Sequence, residues 1–343
     1  MPETTDPTTD LTTDLTTDLT APTWTPDTVL PGFERATLPF PNDYDGPVVA
    51  TLVRARPAQP TGRAVLYVHG FVDYFFQTHL AEAYLGRGFA FYALDLRKHG
   101  RSLLPGQHPN FCKDVSEYFP DVTAAIEVIA REEGEPFLLV NGHSTGALVA
   151  ALYAAEGAER ARVSALFLNS PFFALNTNRI GDAAAAVLGA LGAWLPFVHV
   201  PGVFGPVYGE SLHREHRGEW TFDVHWKPIA GFPVYLGWLR AIRSAHRRVA
   251  HGLRIEVPTL VMHAEKSCWG RRWTEEFRTA DGVLDVADIR RLARSLGADV
   301  TTVAIPDAVH DLVLSRAPAR EAVFAALFAW LEKIYAGRVE RVG

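Results

Sequence analysis

A serine framed by two glycines carries the most specific chemical signal in this chain. Residues 142–146 read Gly142-His143-Ser144-Thr145-Gly146, a G-x-S-x-G lying between the apolar run Phe137 to Val140 and a helix-favouring run from Ala147. A nucleophile elbow needs this context: a strand, a turn tight enough to require small neighbours, and a helix whose N-terminal amides favour a developing anion. A serine hydroxyl is a weak nucleophile and needs a base to take its proton. In elbows of this kind the partners follow in the order serine, acid, histidine. His310, the last histidine, lies in Pro306-Asp307-Ala308-Val309-His310-Asp311 after the last strand-like run and is assigned as the base. His251 and His263 are weaker, and His263 comes too early to leave room for an acid before it. Three acids compete beyond the run Thr259 to Met262: Glu265, Asp281 and Asp285. Asp285 stands where the helix from Val286 needs an N-cap, which leaves Asp281 ahead of Glu265 as the residue that orients the imidazole.

Two backbone N–H groups must meet the oxyanion of an acyl-transfer intermediate. One is expected from Thr145, after the nucleophile. The other is expected from Phe71, in the loop His69-Gly70-Phe71-Val72-Asp73 that follows the apolar run Ala64 to Val68. His69 is read as bracing that loop and His143 as packing beside the elbow.

Such groups need a rigid frame, and the patterning supplies one. Apolar runs at 48–53, 64–68, 89–94, 137–140, 163–168, 258–262 and 300–305 alternate with helical spacing at 75–85, 115–129, 147–155, 286–296 and 317–335. Continuous apolar strands between amphipathic helices indicate a mostly parallel, doubly wound sheet covered on both faces. The alternation stops at Pro171 and resumes near Leu253. Residues 172–253, with an Ala/Gly-rich helix, a Pro/Gly-rich loop and many aromatics, read as an inserted, mainly helical cap between the two parts of the core, 29–171 and 254–343. Residues 1–28 begin with Met1 and repeat Thr-Thr-Asp-Leu three times over 8–19; one Leu per repeat buries little, so a disordered tail is expected there.

The charge separates along the same line. Of 39 acids and 33 bases, five acids and no base lie in the first twenty residues, leaving 34 acids against 33 bases in the remainder. A nearly neutral body without a basic stripe argues against a nucleic-acid surface. Cys112 and Cys268 form neither a disulfide framework nor a zinc spacing. No signal-peptide pattern is visible, and Ile180 to Val203 is broken by Asp182, Pro196 and Pro201, so no bilayer span is expected. A cytoplasmic protein is the resulting expectation; oligomeric state is not legible.

These residues resemble the α/β-hydrolase superfamily, in its branch of monoacylglycerol lipases, lysophospholipase-like enzymes and serine aminopeptidases. Tyr67-Val68-His69-Gly70-Phe71 looks like the oxyanion strand and loop of that branch. Asp95-Leu96-Arg97-Lys98-His99-Gly100-Arg101-Ser102 is similar to its D-x-R-G-H-G-x-S segment, with Lys98 in place of a glycine. Asn169-Ser170-Pro171 looks like the strand end leading into its cap. Asp281-Gly282-Val283-Leu284-Asp285 is similar to the D-x-V-x-D element whose first aspartate is the triad acid, which favours Asp281. The chain departs from the branch at 264–280, an added loop carrying Cys268, Trp269, Arg271, Arg272 and Trp273 before that acid. The resemblance implies a serine hydrolase for small-molecule carboxylic esters, with no metal or organic cofactor. A serine at 144 departs from the branches that use aspartate at the elbow. The cap aromatics, among them Phe172, Trp194, Phe222 and Trp238, would either line an apolar acyl pocket or form the cap's own core. Acyl transfer, or amide, lactone or thioester cleavage, would use the same residues. A non-catalytic ligand-binding relative would normally have lost one of them.

Overall fold

The computed structural model describes residues 21–200 and 205–342. The first half of the chain contributes β1 (Thr25–Pro26), β2 (Glu34–Asp43), β3 (Gly46–Ala55), β4 (Arg63–Val68), α1 (Thr78–Leu85) and β5 (Phe89–Asp95). Next come α2 (Phe119–Glu133), β6 (Phe137–His143), α3 (Thr145–Glu156) and β7 (Val163–Asn169). After β7 the chain leaves the sheet for α4 (Arg179–Leu191), β8 (His199–Val200), α5 (Val207–Leu212), β9 (Val234–Tyr235) and α6 (Leu236–His251). It returns with β10 (Thr259–Ala264), α7 (Val286–Ala293), β11 (Val300–Ile305) and α8 (Ala317–Val342).

Nine strands form one sheet in the order β1-β2-β3-β5-β4-β6-β7-β10-β11. The six strands from β5 to β11 run parallel, and β1 to β3 join antiparallel at one edge. Successive side chains of β4 point to opposite faces, and both faces are dry. Leu66 and Val68 join a core with Val122, Ile126, Leu148 and Trp238, whereas Val65 and Tyr67 join Leu80, Phe91, Leu260 and Leu327 on the other side. The expected fold class, a mostly parallel doubly wound sheet with an inserted helical cap, is what the chain forms.

Several local expectations change. Strand β2 carries Pro39 and Pro41, residues disfavoured in strands, and is not among the expected strands; Ala36 and Leu38 are buried, and Phe40 packs partly buried against the core that Leu38 joins. The helix expected from Phe75 starts at Thr78, because Phe75 N–H is taken by Asp95 Oδ1 at 2.8 Å. The helix expected from Val115 opens as a 3-10 turn over Val115–Tyr118. The expected tail 1–28 is too long. Its first twenty residues lie outside the described ones, but Trp24 covers the Arg54 guanidinium at 3.8 Å and donates to Glu132 at 2.7 Å. Asp27 is buried against Arg101 at 2.7 Å. One Trp and one Asp are enough to order this stretch because partners distant in sequence meet them.

Candidate active site

The elbow is built by steric necessity. Ser144 sits at φ 52°, ψ −114°, a strained setting for a residue with a side chain, between β6 and α3. A Cβ on Gly146 would lie 2.2 Å from His69 O and 2.3 Å from Val68 O, and one on Gly142 would lie 2.6 Å from the Ala147 Cα. Both positions therefore exclude any side chain. Ser144 N–H donates to Asn169 O at 2.9 Å, fixing the turn to the end of β7.

The fold brings Ser144, His310 and Asp281 together. His310 Nε2 lies 3.0 Å from Ser144 Oγ, and His310 Nδ1 lies 2.9 Å from Asp281 Oδ2. All three are buried. The other Asp281 oxygen accepts the N–H groups of Val283 and Leu284, each at 2.8 Å, so this carboxylate is a fixed acceptor. Residues 265–280 leave the end of β10 and return: Asp281 N–H donates to Lys266 O and Cys268 N–H to Asp281 O, both at 2.9 Å. The added loop thus closes on itself, and Asp281 lands beside the strand end despite its distance in sequence. Glu265 points to solvent. Asp285 caps α7 through Ala287 N–H at 2.9 Å.

Phe71 and Thr145 lie with Ser144 and His310 on a cavity of about 840 Å³, inside the range of small-molecule sites. Phe172, Leu188, Phe222 and Trp238 from the insertion supply much of its apolar wall. Phe222 and Trp238 are themselves buried, so the two roles weighed for the aromatics coincide in them. Trp194 points outward, 86% exposed. The added loop contributes Trp269, Arg271 and Phe277 to the same cavity, and Trp273 Nε1 donates to Ser211 Oγ of α5 at 3.0 Å.

Further polar side chains surround the elbow. Asn169 Nδ2 donates to Asp311 Oδ1 at 2.8 Å, and Leu312 N–H returns to Asn169 Oδ1 at 3.2 Å, tying the histidine loop to β7. Lys227, from the insertion, donates to Asp73 Oδ1 at 2.9 Å, and His143 Nδ1 lies 3.5 Å from Asp73 Oδ2. Burial would raise the Asp73 carboxyl, but Lys227 and His143 outweigh it and hold the group well below the usual carboxylate range. Asp73, His143 and Asp311 place ligand-type atoms within 4.8 Å of one another, but the Lys227 ammonium already supplies a countercharge at Asp73. Sequence spacing could not reveal these pairs, because 154 positions separate Asp73 from Lys227.

The segment 95–102 frames the loop after β4. Asp95 Oδ2 accepts Arg101 Nη1 at 2.8 Å, and Arg101 also reaches Phe75 O at 3.0 Å. His69 Nε2 accepts Leu96 N–H at 3.1 Å, leaving Nδ1–H to Gly70 O at 2.8 Å; burial lowers its pKa, so a neutral imidazole spans the loop. Lys98 is fully buried, its ammonium 2.8 Å from Asp43 and 3.1 Å from Asp45. It pins the β2–β3 turn and does not reach the cavity.

Comparisons place this geometry among known proteins. The chain is similar to a solved monoglyceride lipase of Saccharomyces cerevisiae, at 16% identity over 87% of this chain and 97% of that one, with a TM-score of 0.62. It is similar to a monoacylglycerol lipase of Paleococcus ferrophilus, at 22% identity over 82% and 99%, TM-score 0.62. A thermostable carboxyl esterase of Bacillus coagulans, solved with glycerol, matches at 16% identity over 88% and 98%, TM-score 0.63. At these identities the likeness is one of fold. Among the described residues no helix is long and apolar enough to cross a membrane. The model of the family described as "Serine aminopeptidase, S33" matches residues 59–316, three quarters of the chain, and the protein therefore belongs to that family of α/β-hydrolases.

Proposed function

We propose that the protein hydrolyses small carboxylic esters with apolar acyl groups through an acyl-enzyme on Ser144. The observation that carries this reading is the buried hydrogen-bonded line from Ser144 Oγ through His310 to Asp281, with Ser144 and His310 lining a largely apolar cavity. His310 Nε2 takes the Ser144 proton as Oγ bonds to the ester carbonyl carbon, and the Thr145 and Phe71 amides hold the oxyanion. The intermediate collapses, the C–O bond to the alcohol breaks, and His310 returns the proton to the departing oxygen. Water then gives a proton to His310 and attacks the acyl carbon; the bond from that carbon to Oγ breaks, His310 returns the proton to Ser144 Oγ, and the acid is released. The insertion 172–253 serves as the lid over this centre. Monoacylglycerols suit the cavity: one acyl chain against Phe172, Leu188 and Trp238, and a small polyol near Asn176 and Thr177.

The test is turnover of p-nitrophenyl and monoacylglycerol esters of graded chain length, with Ser144→Ala as blank. Octanoyl esters are expected to exceed acetyl esters, and Ser144→Ala to be inert. Wild-type turnover by Ser144→Ala would overturn the assignment, and a steady preference for acetyl would overturn the acyl-pocket reading. Products formed with a competing alcohol present separate hydrolysis from acyl transfer.

A further inference from the structure

The loop after β4 is held under backbone strain. Val72 lies at φ 51°, in the left-handed region, where a β-branched residue is a genuine outlier. Such a residue persists only where its surroundings over-determine it. Asn110 Oδ1 accepts Val72 N–H at 2.9 Å. Lys227 Nζ lies 3.4 Å from Val72 O and donates to Asp73 Oδ1 at 2.9 Å. His143 approaches the second Asp73 oxygen at 3.5 Å. Asp73 is 1% exposed and Lys227 8%, so water does not substitute for these contacts.

The holds differ in origin. Asn110 and His143 belong to the sheet domain, whereas Lys227 belongs to the insertion. Its neighbours lie along the same loop: Phe222 packs on Phe76 with ring centroids 5.3 Å apart, Trp226 meets Tyr74 at 5.2 Å, and Asp223 N–H donates to Tyr74 Oη at 2.7 Å. Residues 222–227 and 72–76 therefore form one contact, with an ion pair at the end nearer the elbow.

We propose that Lys227 is a positioning residue: seated on Asp73 and the Val72 carbonyl, it holds the strained turn that presents the Phe71 amide to the oxyanion, so that this donor is set only while the insertion is seated. The proposal rests on Phe71 being the second oxyanion donor, as in the function proposed above. A donor displaced from its place costs about 10²–10³ in rate when lost outright; a loosened one costs less.

Lys227→Met alone leaves a buried carboxylate unpaired, which threatens folding. The double variant Lys227→Met with Asp73→Asn removes both charges and is measured beside Lys227→Arg. The double variant is expected to lose about 10- to 100-fold in kcat with KM within about twofold. Its affinity for a trifluoromethyl ketone, which binds as an oxyanion, is expected to weaken by the same factor, and Lys227→Arg to recover most of both. Wild-type kcat in the double variant overturns the proposal, as does a fall in kcat with unchanged ketone affinity, which marks a merely structural pair. The underlying reading fails separately: a wild-type protein that neither reacts with a fluorophosphonate nor turns over esters removes that reading and this proposal together.

Discussion

Replacing Asp281 by asparagine tests the proposed acid at the level of a single proton. One carboxylate oxygen accepts two backbone N–H groups at 2.8 Å, and the other faces His310 Nδ1 at 2.9 Å. In Asp281→Asn the amide oxygen must stay on the two N–H groups, since an NH₂ group there would oppose two donors. The NH₂ group must then face His310 and donate to Nδ1, which moves the imidazole proton to Nε2, toward Ser144 Oγ. In that tautomer the histidine cannot accept the serine proton. The corresponding change in a well-studied serine protease triad costs about 10⁴ in kcat, or about 5.4 kcal/mol of barrier. The hydrogen-bond count and packing are preserved, so the melting temperature should shift by only a few degrees. The assay is kcat for p-nitrophenyl butyrate at neutral pH, with Glu265→Gln and Asp285→Ala alongside. Glu265→Gln should leave kcat unchanged, and Asp285→Ala should cost about 1 kcal/mol of stability through its lost cap with kcat intact. Asp281→Asn retaining a tenth of wild-type kcat, or Glu265→Gln falling as far, would refute the reasoning.

Two further expectations concern stability. Burial lowers His99 to about 3 and His246 to about 4, so below the unfolded value of about 6.5 the unfolded chain binds a proton at each that the folded chain refuses. Stability should therefore fall with acid from pH 6.5 toward 4, by up to about 1.4 kcal/mol per pH unit for each histidine. Guanidinium melts at pH 7, 6 and 5 read this, and a flat profile would contradict it. Arg101 joins Asp27 and Asp95, with all three side chains fully buried. Arg101→Met should cost about 3–5 kcal/mol by stranding two carboxylates; a loss under 1 kcal/mol in the same melts would show that water reaches them.

What was legible in the sequence was local. The elbow needs only five residues between a strand and a helix, and the steric demand for Gly142 and Gly146 acts through immediate neighbours. His310 could be read because its place follows chain order, and the buried parallel strands because both their faces are apolar. Asp285 was set aside by its N-cap position, and the resemblance strengthened Asp281 over Glu265, since position along a long loop does not say where the loop returns. β2 was hidden because Pro39 and Pro41 interrupt it, although Ala36, Leu38 and Phe40 alternate on its core face.

The order of secondary elements, the proposed nucleophile and the ester-hydrolase family were legible from residue type and short-range spacing, because propensity, periodicity and turn sterics operate over a few residues. Tertiary structure alone decided which acid meets His310. It folds residues 265–280 back on themselves through the Lys266, Cys268 and Asp281 backbone bonds. It alone joined Trp24 to Arg54, Asp27 to Arg101 and Lys227 to Asp73. Such partners are matched by burial: a charge carried out of water must find its opposite wherever packing brings one, and chain separation has no part in that choice.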